Sequence, residues 1–244
     1  MYKLTYIDRL SRFYYIPRSY HSFGASLHKA LENYHKAGGA VTQTSEQLVN
    51  RLHESWVDTG YASKDEALRH LRDGERFLQD YHTAHYVEGI KTLYTEKQLK
   101  ASLGEFDLMG RVDRIDEHPD GHLEIIDYKS GRTTVEESDL KGDLAMRIYA
   151  YLANKLFPER SVTTSIYCLR SGAKATVGFD QQELQDTEQT VRVLADEISG
   201  IDEDSEIEPE WLEHVCPECS YLKLCAKKAG WNLAELLADE ESGT

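Results

Sequence analysis

Three charged side chains stand where a β-strand does not ordinarily carry them. Asp113 lies between Val112 and Ile115, and Asp127 follows Ile125 and Ile126, with Lys129 two residues further on. Asp is depleted from strands, so carboxylates inside two β-rich runs ask for a chemical reason. The runs, residues 108–115 and 122–128, are joined by His118, Pro119, Asp120 and Gly121, and Asp-Gly between such runs signals a hairpin. Alternation puts Asp127 and Lys129 on one face of the second strand and Tyr128 on the other. Two carboxylates converging from paired strands can hold a hard divalent cation, and an ammonium beside them can position water or stabilise developing negative charge. The same charges also suit a solvated strand face closed by a salt bridge.

Other elements must hold this hairpin. Ahead of it, Leu27, Ala30, Leu31 and Tyr34 recur at helical spacing, and Gly38 and Gly39 close that helix. His28 sits on or beside its apolar stripe, as a packed residue or as a ligand, and Glu32 follows one turn later. A second helix is expected from Thr44 to Trp56. A third starts at the capping box of Ser63 and Glu66 and runs towards Tyr86, with a break at Gly60. His82 and His85 have chelating spacing but no acidic or cysteine company, which favours a solvated face. Residues 90–103 read as a strand. Its Glu96 either supports a metal site or lies exposed on an edge, and the second reading is preferred.

After the hairpin, a polar loop places Arg132 where it can meet a phosphate. Residues 143–155 form a helix with Leu144, Ile148, Tyr151 and Leu152 inward and Arg147 as a second phosphate contact. Residues 161–169 and 174–179 make another hairpin, whose Cys168 reads as a small buried hydrophobe. Asp180 caps a long helix with an apolar stripe of Leu184, Thr187, Val191, Val193, Leu194 and Ile198. Residues 2–15 are aromatic and basic, a composition shared by packed segments and by platforms for single-stranded bases.

The 244 residues carry a net charge of −15, which argues against a protein that coats DNA non-specifically. An active site that gathers cations is itself acidic, so a nuclease is not excluded; weak intrinsic DNA affinity or a partner that delivers DNA is expected. No apolar run is long enough for a bilayer, and the start lacks a signal-peptide core, so a soluble cytoplasmic protein is expected. Of four cysteines, Cys216, Cys219 and Cys225 give C-x2-C-x5-C, a pattern that calls for a soft metal. Zinc is satisfied with His214 as fourth ligand, whereas a [4Fe-4S] cluster needs another donor, usually cysteine.

The run from Gly110 to Asp116, followed by Ile125-Ile126-Asp127-Tyr128-Lys129-Ser130-Gly131, resembles the central motifs of PD-(D/E)XK nucleases in their RecB-like branch. That branch includes helicase-associated exonucleases and the iron–sulfur nucleases of CRISPR adaptation. Gly24-x-x-x-His28 resembles the branch's first motif. The resemblance implies a Mg²⁺ or Mn²⁺ site held by His28, Asp113, Asp127 and the Tyr128 carbonyl, with Lys129 catalytic. It further implies hydrolysis of phosphodiester bonds in single-stranded or unwound DNA ends, in repair or recombination, with a helicase as partner. A fourth motif places Gln four residues before a Tyr; here Tyr149 is present, as a catalytic-site residue, but Ala145 replaces the Gln. The alternative is a DNA-end-binding or scaffold subunit with weakened catalysis. The branch's first cluster cysteine lies near the N-terminus, and Tyr2 to Ile7 resembles the stretch just after that cysteine, so the missing ligand is expected upstream of Met1, unless this version has lost that staple. The expected fold is α/β (α+β), a restriction-endonuclease-like mixed sheet flanked by helices in a single domain. Its parts are a helical layer over about 25–90, a nuclease core over 90–205 and a cysteine cap over 206–244.

Overall fold

The computed structural model describes residues 1–84, 88–213 and 215–241. A π-helical turn, Lys3–Ile7, precedes α1 (Ser11–Tyr14), α2 (Ser19–Lys36), α3 (Ser45–Glu54) and α4 (Lys64–Ala84). Three strands follow: β1 (Lys91–Ser102), β2 (Asp107–Glu117) and β3 (Leu123–Lys129). Then come α5 (Glu137–Gly142), α6 (Leu144–Leu156), β4 (Val162–Cys168), β5 (Lys174–Gly178), α7 (Gln181–Ser199), α8 (Leu222–Ala229) and α9 (Leu233–Glu241). The chain divides into two compact units, Pro17–Arg192 and Met1–Ile16 with Val193–Thr244.

In the larger unit a five-stranded mixed sheet has the order β1-β2-β3-β4-β5. β1, β2 and β3 run antiparallel, β3 and β4 pair in parallel, and β5 returns antiparallel to β4. The parallel pair needs a crossover, which α5 and α6 supply. The expected hairpin forms: His118 N donates to His122 O at 2.9 Å, and Gly121 adopts φ 87° in the turn, a conformation that favours glycine.

Each face of the sheet buries its own core. Phe23, Leu27, Leu31 and Tyr34 of α2 pack with Leu48, Leu52, Phe77, Leu78 and Tyr81 against Ile126, Tyr128 and Tyr167. On the other face Val112, Ile115 and Ile125 meet Ala150, Tyr151 and Leu152 of α6, with Leu184 and Val191 of α7. Alternation in β2 breaks across Asp113. Val112 belongs to the α6 side, whereas Arg114, two residues later, donates to the hydroxyls of Tyr81 and Tyr128 on the α2 side.

Several expectations need correction. α2 begins at Ser19, so Tyr20 and His21 are helical. In α7 only Leu184, Thr187 and Val191 are buried, while Val193, Leu194 and Ile198 are 50%, 38% and 38% exposed. Periodicity identifies an apolar side, but burial requires a neighbour to cover it. Tyr34 Oη lies 2.7 Å from His82 Nδ1, so that ring has a structural partner. His85 and Tyr86 lie outside the described residues, as does His214.

In the smaller unit, the Tyr221 hydroxyl lies 3.0 Å from Thr5 Oγ1, and its ring centroid lies 5.7 Å from that of Tyr14. Tyr6, Phe13 and Tyr15 of the aromatic N-terminal segment are exposed. Among the described residues, no helix is long and apolar enough to cross a membrane.

Candidate metal centre

α2 carries His28 to the end of the hairpin. One turn earlier, a Cβ on Gly24 would stand 3.3 Å from Ser130 Oγ, so glycine lets the helix rest against the residue just past β3. The β2–β3 ladder ends at the pair Arg114–Ile126. Just past it, Tyr128 N donates to Asp113 Oδ2 at 2.8 Å, so a side chain replaces the backbone partner. His28 then spans the gap, with Nδ1 3.1 Å from Asp113 Oδ1 and Nε2 3.1 Å from the Tyr128 carbonyl. Burial works against a charged ring there, but the hydrogen bond and charge of Asp113, then the charges of Asp127 and Glu96, raise its pKa above 6.5.

Asp127 is buried, and its pKa is raised by that burial and by the charge of Asp113, with Lys129 and His28 offsetting only part. Lys129 Nζ stands 2.8 Å from Asp127 Oδ2 and forms an ion pair with it. Two carboxylates held close enough for the charge of Asp113 to raise the pKa of Asp127 make a charge arrangement that a divalent cation would relieve.

Glu96 belongs to the same cluster, against the sequence-based preference for an exposed edge. Its side chain is 15% exposed, and Arg111 Nε lies 2.6 Å from its Oε2. One ligand atom each from His28, Glu96 and Asp113 fall within 4.8 Å of one another. Glu96 holds φ 50°, rare for a residue with a side chain. Burial and the charge of Asp113 raise its carboxyl pKa, opposed by Arg111 and His28. The signal available in the sequence was its acidic side chain inside a strand, the same anomaly that marked Asp113.

Imidazole nitrogen, carboxylate oxygens and a carbonyl form a donor set that suits Mg²⁺ or Mn²⁺. His28, Glu96 and Asp113 open on a cleft of about 500 Å³ lined also by Tyr20, His21, Gly24, Ala25, Lys29, Glu32 and Arg111. Glu32 is buried and pairs with Lys29 at 2.7 Å and Lys36 at 2.5 Å. Burial would raise its carboxyl, but the two ammonium groups outweigh that and lower it.

Tyr149 approaches from α6. A Cβ on Gly110 would stand 3.0 Å from its ring, so glycine at the head of the Gly110–Asp116 run admits the tyrosine. Its hydroxyl pKa is pushed up to about 12 by burial and by the charges of Asp127 and Asp113. Ala145 is exposed in the first turn of α6, where its amide donates to the capping Asp143 Oδ1 at 2.8 Å. Arg132 is exposed in the loop after β3. Arg147 turns towards α7, its Nε 3.1 Å from Thr187 Oγ1, and is not drawn into the cluster.

Cys216, Cys219 and Cys225 are free and half-buried in the smaller unit. Burial, then Cys219 and Cys216, raise the Cys225 thiol pKa.

Over 91 residues the chain is 32% identical to the B subunit of the ATP-dependent helicase/deoxyribonuclease of Lactococcus lactis subsp. lactis (strain IL1403), a match covering 33% of this chain and 8% of that protein. The chain thus spans a small fraction of that relative's length. A solved structure of a candidate exonuclease from Eubacterium rectale aligns with TM-score 0.40 and 12% identity, over 84% of this chain and 91% of that one. A profile of the PD-(D/E)XK nuclease superfamily matches residues 1–226, and the chain belongs to that superfamily.

Proposed function

We propose that this chain hydrolyses phosphodiester bonds of DNA with Mg²⁺ or Mn²⁺, as a RecB-like exonuclease acting on single-stranded or unwound ends in repair or recombination. The observation that carries the reading is the convergence of His28, Glu96 and Asp113, with Asp127 near enough to feel the charges of Asp113 and His28. His28, Asp113, Asp127 and the Tyr128 carbonyl hold the cation, with Glu96 at the same cleft. A divalent ion there supplies Lewis acidity towards a phosphoryl oxygen and water. Lys129, whose side chain is 37% exposed beside Asp127, stabilises the negative charge that develops on the phosphoryl group. Asp113 fixes the Tyr128 amide and thereby the carbonyl that faces His28. Tyr149 walls the site from the α6 side, and exposed Arg132 contacts the DNA backbone; Arg147 does so only by leaving Thr187.

Cys216, Cys219 and Cys225 supply thiolates for an iron–sulfur cluster or zinc. The Lactococcus relative is named as a helicase/deoxyribonuclease subunit. A helicase is therefore the proposed partner class. Ala145, in place of the expected Gln, favours a second reading: a DNA-end-binding subunit with weakened catalysis.

One assay separates the two. Purified protein is incubated with end-labelled single- and double-stranded DNA in Mg²⁺, Mn²⁺ or EDTA. Cleavage that requires metal and is lost in Asp127→Asn supports the enzyme. Binding of ends with no metal-dependent cleavage ends that reading and leaves the second.

A further inference from the structure

We infer that Tyr20 and His21 form a base-stacking platform for single-stranded DNA at one end of the metal-site cleft. The inference rests on the nuclease reading and deepens it by assigning the residues that hold the unpaired strand. α2 buries one face through Phe23, Leu27, Ala30 and Leu31, and turns the other to the cleft. On that outer face Tyr20, Gly24 and His28 recur every fourth residue, with His21, Ala25 and Lys29 beside them. All six line the same cleft as Glu96 and Asp113.

The three turns differ in chemistry. Tyr20 is 51% exposed, and its ring lies 4.4 Å from that of His21 at an interplanar angle of 49°. Gly24 and Ala25 then leave a floor without bulk, and His28 begins the cation site. From Tyr20 to His28 the helix rises about 12 Å. A stacked strand advances about 3.4 Å per nucleotide, so the aromatic pair sits a few nucleotides from the scissile phosphate. Exposed Lys29 and Arg111 also line the cleft, paired with Glu32 and Glu96 respectively. A lone exposed tyrosine needs no explanation. This one shares a cleft with His28, Glu96 and Asp113, along a helix face where Gly24 and Ala25 carry little bulk and the small Ser130 packs against Gly24. An aromatic face stacks on any unpaired base, whereas bases in a duplex cover one another, so the platform selects strand state and not sequence.

The test measures binding of a labelled oligothymidylate by fluorescence anisotropy in EDTA, so that no hydrolysis intervenes. Base-on-aromatic stacking corresponds to roughly 5- to 150-fold in affinity. Tyr20→Ala is expected to weaken binding about tenfold, His21→Ala less, and Tyr20→Trp hardly at all, with circular dichroism unchanged. Blunt duplex binding should shift by less than about twofold in each. An abasic nucleotide at one position should weaken binding to the parent protein and have no further effect in Tyr20→Ala. Single-strand binding that is indifferent to Tyr20→Ala, or single-strand and duplex binding that fall together, overturns the platform. The nuclease reading fails separately, through absence of metal-dependent cleavage in a protein that still shows the abasic signature.

Discussion

His28 Nδ1 stands 3.1 Å from Asp113 Oδ1 while its Nε2 stands 3.1 Å from the Tyr128 carbonyl, and an ionised carboxylate and a carbonyl can only accept. With both ring nitrogens facing acceptors, the protonated form is favoured, in line with the raised pKa. A divalent ion needs a lone pair of the same ring, so uptake near pH 6.5 should expel a proton and tighten as pH rises. Calorimetry in two buffers of different ionisation heat measures this directly. Proton release that is absent, or that persists in His28→Ala, removes His28 from the ligand set.

The two acids of the hairpin should separate in their effect on stability. Asp127 has its pKa raised from 3.8, so its ionised form disfavours the fold above both its folded and unfolded values; that cost vanishes as pH falls below 3.8. Asp127→Asn is expected to leave the cation-free protein as stable or more so at neutral pH, while cleavage and thermal stabilisation by Mg²⁺ are lost. Asp113→Ala should also abolish cleavage, but it strips the Tyr128 amide of its acceptor and costs about 1–2 kcal/mol. Melting curves with and without Mg²⁺ decide. A large loss of stability in Asp127→Asn without the ion would make that carboxylate structural.

Glu96 should show a trade of stability against function. Its φ of 50° is one that glycine adopts without the Cβ clash. Glu96→Gly is expected to change the stability of the cation-free protein by no more than about 1 kcal/mol in either direction, because strain relief offsets the flexibility gained by the unfolded chain. Its affinity for Mn²⁺ should fall at least several-fold. Unchanged Mn²⁺ affinity by titration calorimetry would leave the residue as a partner of Arg111 alone.

Away from the cleft, Glu124 is a buried acid with structural partners. Burial alone would raise its carboxyl, but Lys174, followed by hydrogen bonds from Lys174, Ser165 and His118, holds it at about 2. A depressed carboxylate stabilises the fold above its unfolded value of 4.5, and the contribution is lost as pH falls towards 2. Glu124→Gln should therefore cost about 3 kcal/mol at pH 7, from the size of that shift. In urea unfolding the gap to the parent protein should close between pH 4.5 and 2. A gap that is constant with pH would assign the loss to packing.

What the sequence disclosed depends on the range of each signal. The β2–β3 hairpin and its turn are local, and Asp113, Asp127, Lys129 and His28 could be singled out because their motifs are short. Glu96 was misjudged because its meaning depends on register with a strand many residues later and on a backbone angle that composition does not carry. The α7 stripe was over-read for the converse reason: apolar spacing is local, but the neighbour that buries it is not. Tyr20 and His21 come just after an aromatic segment ended by Pro17, and only the helix starting at Ser19 aligned them with His28.

The parallel pairing of β3 with β4 has a consequence for how the molecule forms. The hairpin closes over a short turn, so the strands that carry both aspartates can meet early. β3 gains its second neighbour only after α5 and α6 have crossed the sheet, and His28 reaches Asp113 across 85 residues of chain. Contacts of such separation close late, because loop entropy must be overcome before they gain any free energy. The donor set is therefore split between an early and a late part of the folding reaction. A chain with its hairpin formed but α2 undocked carries the acids without the imidazole, and cation binding by the proposed donor set would report that α2 has docked.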